Sequence, residues 1–182
     1  MANHQIKKFA KELLKELSRK RNELSDNPRK ERTKLVAEIL QSMAEDGKFY
    51  LHPYKHKEIK RKQLLCDFVW LARESDSQTL SRVILAAESE WSRNKPAVLY
   101  DFKKLLLVKA DRKLLFFRSA KTSKITHGDN IRAEIVEALE GFKQKTMGET
   151  YFIVEMNNRS RKFRLDYWIT NLKGQVALQQ HK

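Results

Sequence analysis

Residues 83–91, VILAAESEW, are the stretch that most constrains the fold. Val83 to Ala87 is a short continuous apolar run of the kind that forms a buried strand. Glu88 and Glu90 follow at a spacing of two, which on a strand turns both carboxylates to the same side of the sheet. Like charges side by side repel, so a sheet that ends a core strand this way has to supply something that holds them.

The flanking sequence predicts what surrounds that strand. Ile6, Phe9, Ala10, Leu13, Leu14 and Leu17 recur at helical spacing, giving an amphipathic helix over 4–24 with a Lys/Arg-rich outer face. After SDNPRKER a second helix starts, with Asn27 as N-cap and Pro28 at its first position, and it runs to Gly47 with Leu35, Val36, Ile39, Leu40 and Met43 inward. The period then changes to strands at 49–54, 63–71 and 83–91, the first two separated by the basic KHKEIKRK. KPAVLYDFKKLLLVKAD has a helical pattern, and KLLFF (113–117) predicts a fully buried strand. A helix over 129–145 capped by Asp129, then a hairpin in TYFIVEMNNRSRKFRLDYWIT, complete the expected order. Phe163, Leu165, Tyr167 and Ile169 alternate to one face of that hairpin. The domain reading is a basic helix at 1–26, one domain at 27–172 and a flexible tail at 173–182.

Charge then selects the partner class. The chain has 182 residues, with 38 Lys and Arg against 23 Asp and Glu, a formal net charge of +15 that predicts attraction to a polyanion. Nucleic acid leads, and the cations Lys55, Lys57, Lys60, Arg61 and Lys62 of KHKEIKRK, with Lys103, are the expected phosphate contacts. The lone cysteine, Cys66, excludes an internal disulfide and a cysteine-based zinc cage, and points to the cytoplasm. No apolar segment has the length of a membrane span, and the N-terminus lacks the apolar core of a signal peptide. The five histidines show no zinc-ligand spacing with Cys66.

Asp67 is an isolated charge in the apolar LLCDFVWL. If this strand and VILAAESEW form a hairpin, Asp67, Glu88 and Glu90 converge. Clustered buried carboxylates either share protons or bind a hard divalent cation. A glycosidase-type acid pair is one reading, but a charge of +15 matches phosphodiester better than neutral sugar.

The order helix, three strands, helix, strand, with Asp67 on the second strand and Glu88-Ser89-Glu90 on the third, resembles the PD-(D/E)xK nuclease superfamily over residues 30–118. The resemblance implies a restriction-endonuclease-like α/β (α+β) core: a central mixed sheet flanked by helices, here with an added N-terminal helix and a C-terminal hairpin. It implies Mg²⁺, with Mn²⁺ able to substitute, on Asp67 and Glu88, and a further ligand in the Ser89 carbonyl. Cys66 stands where the motif has proline, and Glu90 where it has lysine. Some members carry Glu there and others place the lysine on the next helix, where Lys103 and Lys104 are the candidates, Lys104 sharing a helix face with Asp101.

The expected activity is metal-dependent hydrolysis of nucleic acid, DNA favoured, with Asp67, Glu88, Glu90 and Lys104 catalytic and Glu90 either accepting a proton or holding a second ion. Glu38 is a further residue that can orient a water or a metal, or else a solvated helix glutamate. Taken singly, each acid reads as structure: Asp67 paired with an arginine, ESEW a strand end in solvent. Two other classes stay open, a non-catalytic nucleic-acid-binding module with the same fold, and a small subunit or homodimer docking through the N-terminal helix. Trp70, Trp91 and Trp168 read as core.

Overall fold

A computed structural model describes residues 2–45, 50–52, 66–73, 80–119, 127–157, 160–170 and 176–181. The basic segment with Lys55, Lys57, Lys60, Arg61 and Lys62 lies outside the described residues, as does Gly47. The elements are α1 (Ala2–Arg19), α2 (Arg21–Asp26), α3 (Arg29–Glu45), β1 (Tyr50–His52), β2 (Phe68–Arg73), β3 (Leu80–Glu90), α4 (Lys95–Leu107), β4 (Arg112–Ser119), α5 (His127–Gly141), β5 (Thr150–Asn157), β6 (Phe163–Thr170) and β7 (Val176–His181).

The described strands form one mixed sheet in chain order, β1 through β7. β1, β2 and β3 make an antiparallel meander, β3, β4 and β5 are parallel, and β5, β6 and β7 are antiparallel again. Parallel neighbours need a crossover, and α4 and α5 provide the two that this order requires. Both faces are covered. Phe9, Leu13, Val36, Ile39 and Leu40 of α1 and α3 pack on Phe68, Trp70, Leu114, Phe116, Phe152 and Tyr167. Val98, Phe102 and Leu105 of α4 and Ile131, Ile135 and Leu139 of α5 pack on Val69, Leu71, Leu115, Phe117, Tyr151 and Trp168. KLLFF is continuously apolar because Leu114 and Phe116 serve one core while Leu115 and Phe117 serve the other.

Most expected elements are present, with shifted ends. Asn27 terminates α2 rather than capping α3, its N–H closing on the Glu23 carbonyl, and Pro28 contributes the first carbonyl of α3 to Arg32 at 3.1 Å. α5 starts at His127, so Asp129 lies in its first turn, where a carboxylate favours the helix dipole, instead of at the cap. The tail expected over 173–182 is corrected: residues 176–181 are β7, paired with β6 from Thr170↔Val176 to Leu165↔His181. That strand owes its order to backbone groups on the edge of β6, a partner that local composition does not reveal.

The apolar stripe of α1 (Ile6, Phe9, Ala10, Leu13, Leu17) is buried in the domain's own core, with the Phe9 ring edge-on to Trp70 at 5.9 Å. The stripe is therefore spent on the fold and not available for docking. No helix among the described residues is long and apolar enough to cross a membrane.

A bulge decides where the acids point. Trp70 pairs with Leu85 and Leu71 with Val83, leaving Ile84 as an extra residue on β3. Val83 packs toward the α4 and α5 core, Ile84, Leu85 and Ala87 pack toward α1 and α3, and Ala86 returns to the α4 side. Without that extra residue the alternation that starts at Val83 would send Glu88 and Glu90 to the opposite face.

Candidate functional site

The β2–β3 register continues from Phe68↔Ala87 and sets Asp67 beside Glu88, at the edge where the parallel strands β3, β4 and β5 end. Carboxyl ends of parallel strands are where open sheets of this type bind ligands. Asp67 Oδ2 accepts hydrogen bonds from the Ser89 backbone N–H at 3.0 Å and the Ser89 hydroxyl at 2.9 Å. That fixes the carboxylate against β3. Glu88 is 1% exposed, an unusual depth for a glutamate.

α4 closes over this pair. Pro96 stands in its first turn, suited to a fixed φ and a missing N–H. One turn later Asp101 and Lys104 share a face, Lys104 Nζ lying 2.9 Å from Asp101 Oδ1 and 2.7 Å from Glu88 Oε1. Two carboxylates, those of Glu88 and Asp101, thus share one ammonium, and the charge of Asp67 acts on both of them. Burial first, and then the charge of Asp67, push the Glu88 carboxyl up to about 8 against the pull of Lys104. Burial also raises Asp101. Burial works against the Lys104 charge, but Glu88 and Asp101 outweigh it and hold that amine above the ordinary lysine value. The neighbouring Cys66 thiol is pushed up to about 12 by burial and by Glu88, which leaves it protonated and unsuited to act as a nucleophile.

Glu90 is not brought into this group in the same way. Its Oε2 takes the Arg29 guanidinium at 3.2 Å and its Oε1 accepts the Ser92 N–H at 2.6 Å, so it ties the start of α3 and the β3–α4 turn to the end of β3. Ser89 Oγ lies 3.4 Å from Thr33 Oγ1, which accepts the Trp91 Nε1–H at 3.1 Å. Lys103 is exposed on α4, and Glu38 is exposed beside Lys34 at 4.0 Å, a solvated position. Trp70, Trp91 and Trp168 are buried. Among the described residues no three His, Cys, Asp or Glu side chains stand together as a ready ligand set.

Arg29, Thr33 and the Ser89 side chain were not singled out by sequence reasoning. A signal existed for the first two, which lie four apart on α3 and so share its face, but nothing local says that this face meets β3.

A second buried polar group sits along the same edge. In register Glu90 lies beside Phe117, and Phe117 beside Glu155. Arg132 of α5 pairs with Glu155 and, at 2.6 Å, with Asp166, while Ser119 donates its hydroxyl to Glu155. Arg164 adds a contact to Asp166 at 3.2 Å.

No family model matches the chain, and no curated protein matches it in sequence.

Proposed function

We propose that this chain is a metal-dependent nuclease of the PD-(D/E)xK type, hydrolysing phosphodiester bonds of nucleic acid, DNA favoured, in the cytoplasm. One observation carries the reading: Asp67, directly before β2, lies beside Glu88 at the carboxyl edge of the sheet, where Lys104 of α4 pairs with both Glu88 and Asp101. The meander β1–β2–β3 followed by α4 and a parallel β4 also supports the restriction-endonuclease-like core.

The donor set fits Mg²⁺, which takes one or two carboxylates and keeps several waters. Asp67 and Glu88 are hard oxygen donors, and the like charges around buried Glu88 favour any added cation. Asp67 and Glu88 would hold the ion, with Mn²⁺ able to substitute. When bound, the ion supplies an activated water and offsets charge on the phosphoryl oxygens. Lys104 stands beside Glu88 as the motif's lysine delivered from α4, and its ammonium can stabilise negative charge developing on the phosphodiester. Glu90, engaged by Arg29 and Ser92, braces the strand end and keeps α3 against it.

The test is direct. Mg²⁺ or Mn²⁺ should raise the melting temperature by an amount that grows with ion concentration, and the same ions should support nicking of single-stranded, duplex or branched DNA. A specific observation favours the second reading, a non-catalytic binding module: Lys104 already neutralises Glu88. Protein that binds DNA but shows neither metal-induced stabilisation nor nicking decides for that module.

A further inference from the structure

Behind the carboxylates, toward α1 and α3, the same sheet edge gathers arginines. Glu90↔Phe117 sets Arg118 of β4 beside Trp91, and Phe116 packing toward α1 and α3 puts Arg118 on that face too. The Arg32 guanidinium lies over the Trp91 ring, 5.9 Å from its centroid, and donates from Nη2 to the Ser25 carbonyl at 3.0 Å. Arg32 is only 7% exposed, yet its Nε has no hydrogen-bond partner among the described residues. Arg93 follows two residues after Trp91 and is exposed.

The three feel one another. Burial, then the charge of Arg93, holds Arg32 below its ordinary value, with Asp26 acting the other way. Burial, then Arg32 and Arg93, does the same to Arg118. Asp26 is also engaged by Arg161 at 3.0 Å, and Glu90, at the end of β3, by Arg29. Like charges brought together around a buried donor without a hydrogen-bond partner are what an anion of several oxygens relieves.

We propose that Arg32, Arg93 and Arg118 form a phosphate-binding site that grips a backbone phosphate of the bound nucleic acid, displaced along the strand from the phosphodiester at Asp67 and Glu88. The proposal rests on the reading of the chain as a protein that acts on nucleic acid. The two places are mechanically joined: Asp67 is bonded to Ser89, Ser89 meets Thr33, Thr33 holds Trp91, and Trp91 carries Arg32 on its ring. A phosphate held by the arginines therefore has a fixed offset from the carboxylates. Planar guanidinium groups suit this role because each can present two parallel donors to one phosphate.

The experiment is fluorescence anisotropy with labelled single-stranded and duplex oligonucleotides in EDTA, which isolates binding from metal and cleavage. Arg93 is exposed, so its substitution leaves the fold intact, and circular dichroism checks this. Arg93→Ala should weaken binding about fivefold and lower the slope of log affinity against log salt by about one, and Arg93→Glu should weaken it more than about tenfold. Lys143→Glu, an equal charge change at an exposed residue beyond the far end of α5, controls for the general field and should stay within about twofold of wild type. Arg93→Glu that binds as wild type, an equal loss in Lys143→Glu, or wild-type protein that binds no oligonucleotide at low salt would each overturn the proposal. Its fate is separable from that of the nuclease reading. Wild type that never cleaves while Arg93→Glu loses binding keeps the phosphate site and removes the nuclease. Wild type that cleaves in Mg²⁺ while Arg93→Glu binds normally does the reverse.

Discussion

Two buried ionic groups face α4 and α5 along one edge of the sheet, and they are built on opposite plans. Around Arg132 the charges are distributed: Glu155 and Asp166 share its guanidinium, Arg164 contacts both Asp166 and Asp129, and the Ser119 hydroxyl adds a donor to Glu155. Around Glu88 they are not, since Glu88 and Asp101 share the single ammonium of Lys104 while the charge of Asp67, held by Ser89, bears on both acids. A buried network whose donors and acceptors answer one another specifies packing, and removing any member leaves the others stranded. A group with surplus like charge has instead a place for a ligand of opposite sign. The contrast is one of charge balance within one sheet edge.

The sharpest break of that contrast is chemical. Asp67→Asn or Glu88→Gln should lower metal-dependent nicking by more than about a hundredfold and remove the metal-induced rise in melting temperature. The metal-free protein should keep its stability, because each change is nearly isosteric and glutamine stands in for a Glu88 carboxyl that burial already pushes up to about 8. Equal nicking by Glu88→Gln and wild type would show that the surplus charge is not a metal site.

Next in size, Arg132→Met should cost roughly 3–5 kcal/mol in denaturant unfolding, because it strands Glu155 and Asp166 in the interior. A loss under about 1 kcal/mol would mean that this network is no more structural than a surface pair. Gly128→Ala probes the same group from α5, since a Cβ at Gly128 would overlap the Glu155 carboxylate. It should cost roughly 1–3 kcal/mol as Glu155 is driven off Arg132 and Ser119, again read by denaturant unfolding.

The smallest effect belongs to the opposite end of the sheet, where Lys113 and Tyr151 both bond to Glu149, at 3.0 and 2.7 Å. Burial lowers Lys113, with Glu149 opposing, so the folded chain gives up that proton before the unfolded chain does. Stability from Lys113 should therefore rise with pH between its lowered value and the ordinary lysine range. Burial first, and then Glu149, raise Tyr151, so the folded chain keeps the phenol proton that the unfolded chain loses above about 10, and stability should fall there. Chemical denaturation across alkaline pH should show a rise and then a turnover, absent from the triple variant Lys113→Met, Glu149→Gln, Tyr151→Phe.

Much of this architecture was legible in the sequence because it depends on local periodicity. Apolar spacing is enough for the helices and for a strand in KLLFF, and the lone charge in LLCDFVWL next to VILAAESEW is enough to bring Asp67 toward Glu88, since the two strands are neighbours in chain and sheet. Asp101 and Lys104 share a face by helix geometry alone. The remainder is set by partners far away in the chain. The extra residue at Ile84 chooses the face on which Glu88 points, and it exists only in the register against β2. Arg29 draws Glu90 away across a separation of 61 residues, and Arg32, Arg93 and Arg118 come from α3, the β3–α4 turn and β4. Residues 176–181 gain order from the open edge of β6. Periodicity follows from the chain's own geometry, so the helices, the inner strands and the charge they carry can be read from the sequence. Register, facing and ion pairing depend on which surfaces come together, so the pairing of Glu88 and Asp101 with Lys104, and the arginines behind them, follow from the folded arrangement alone.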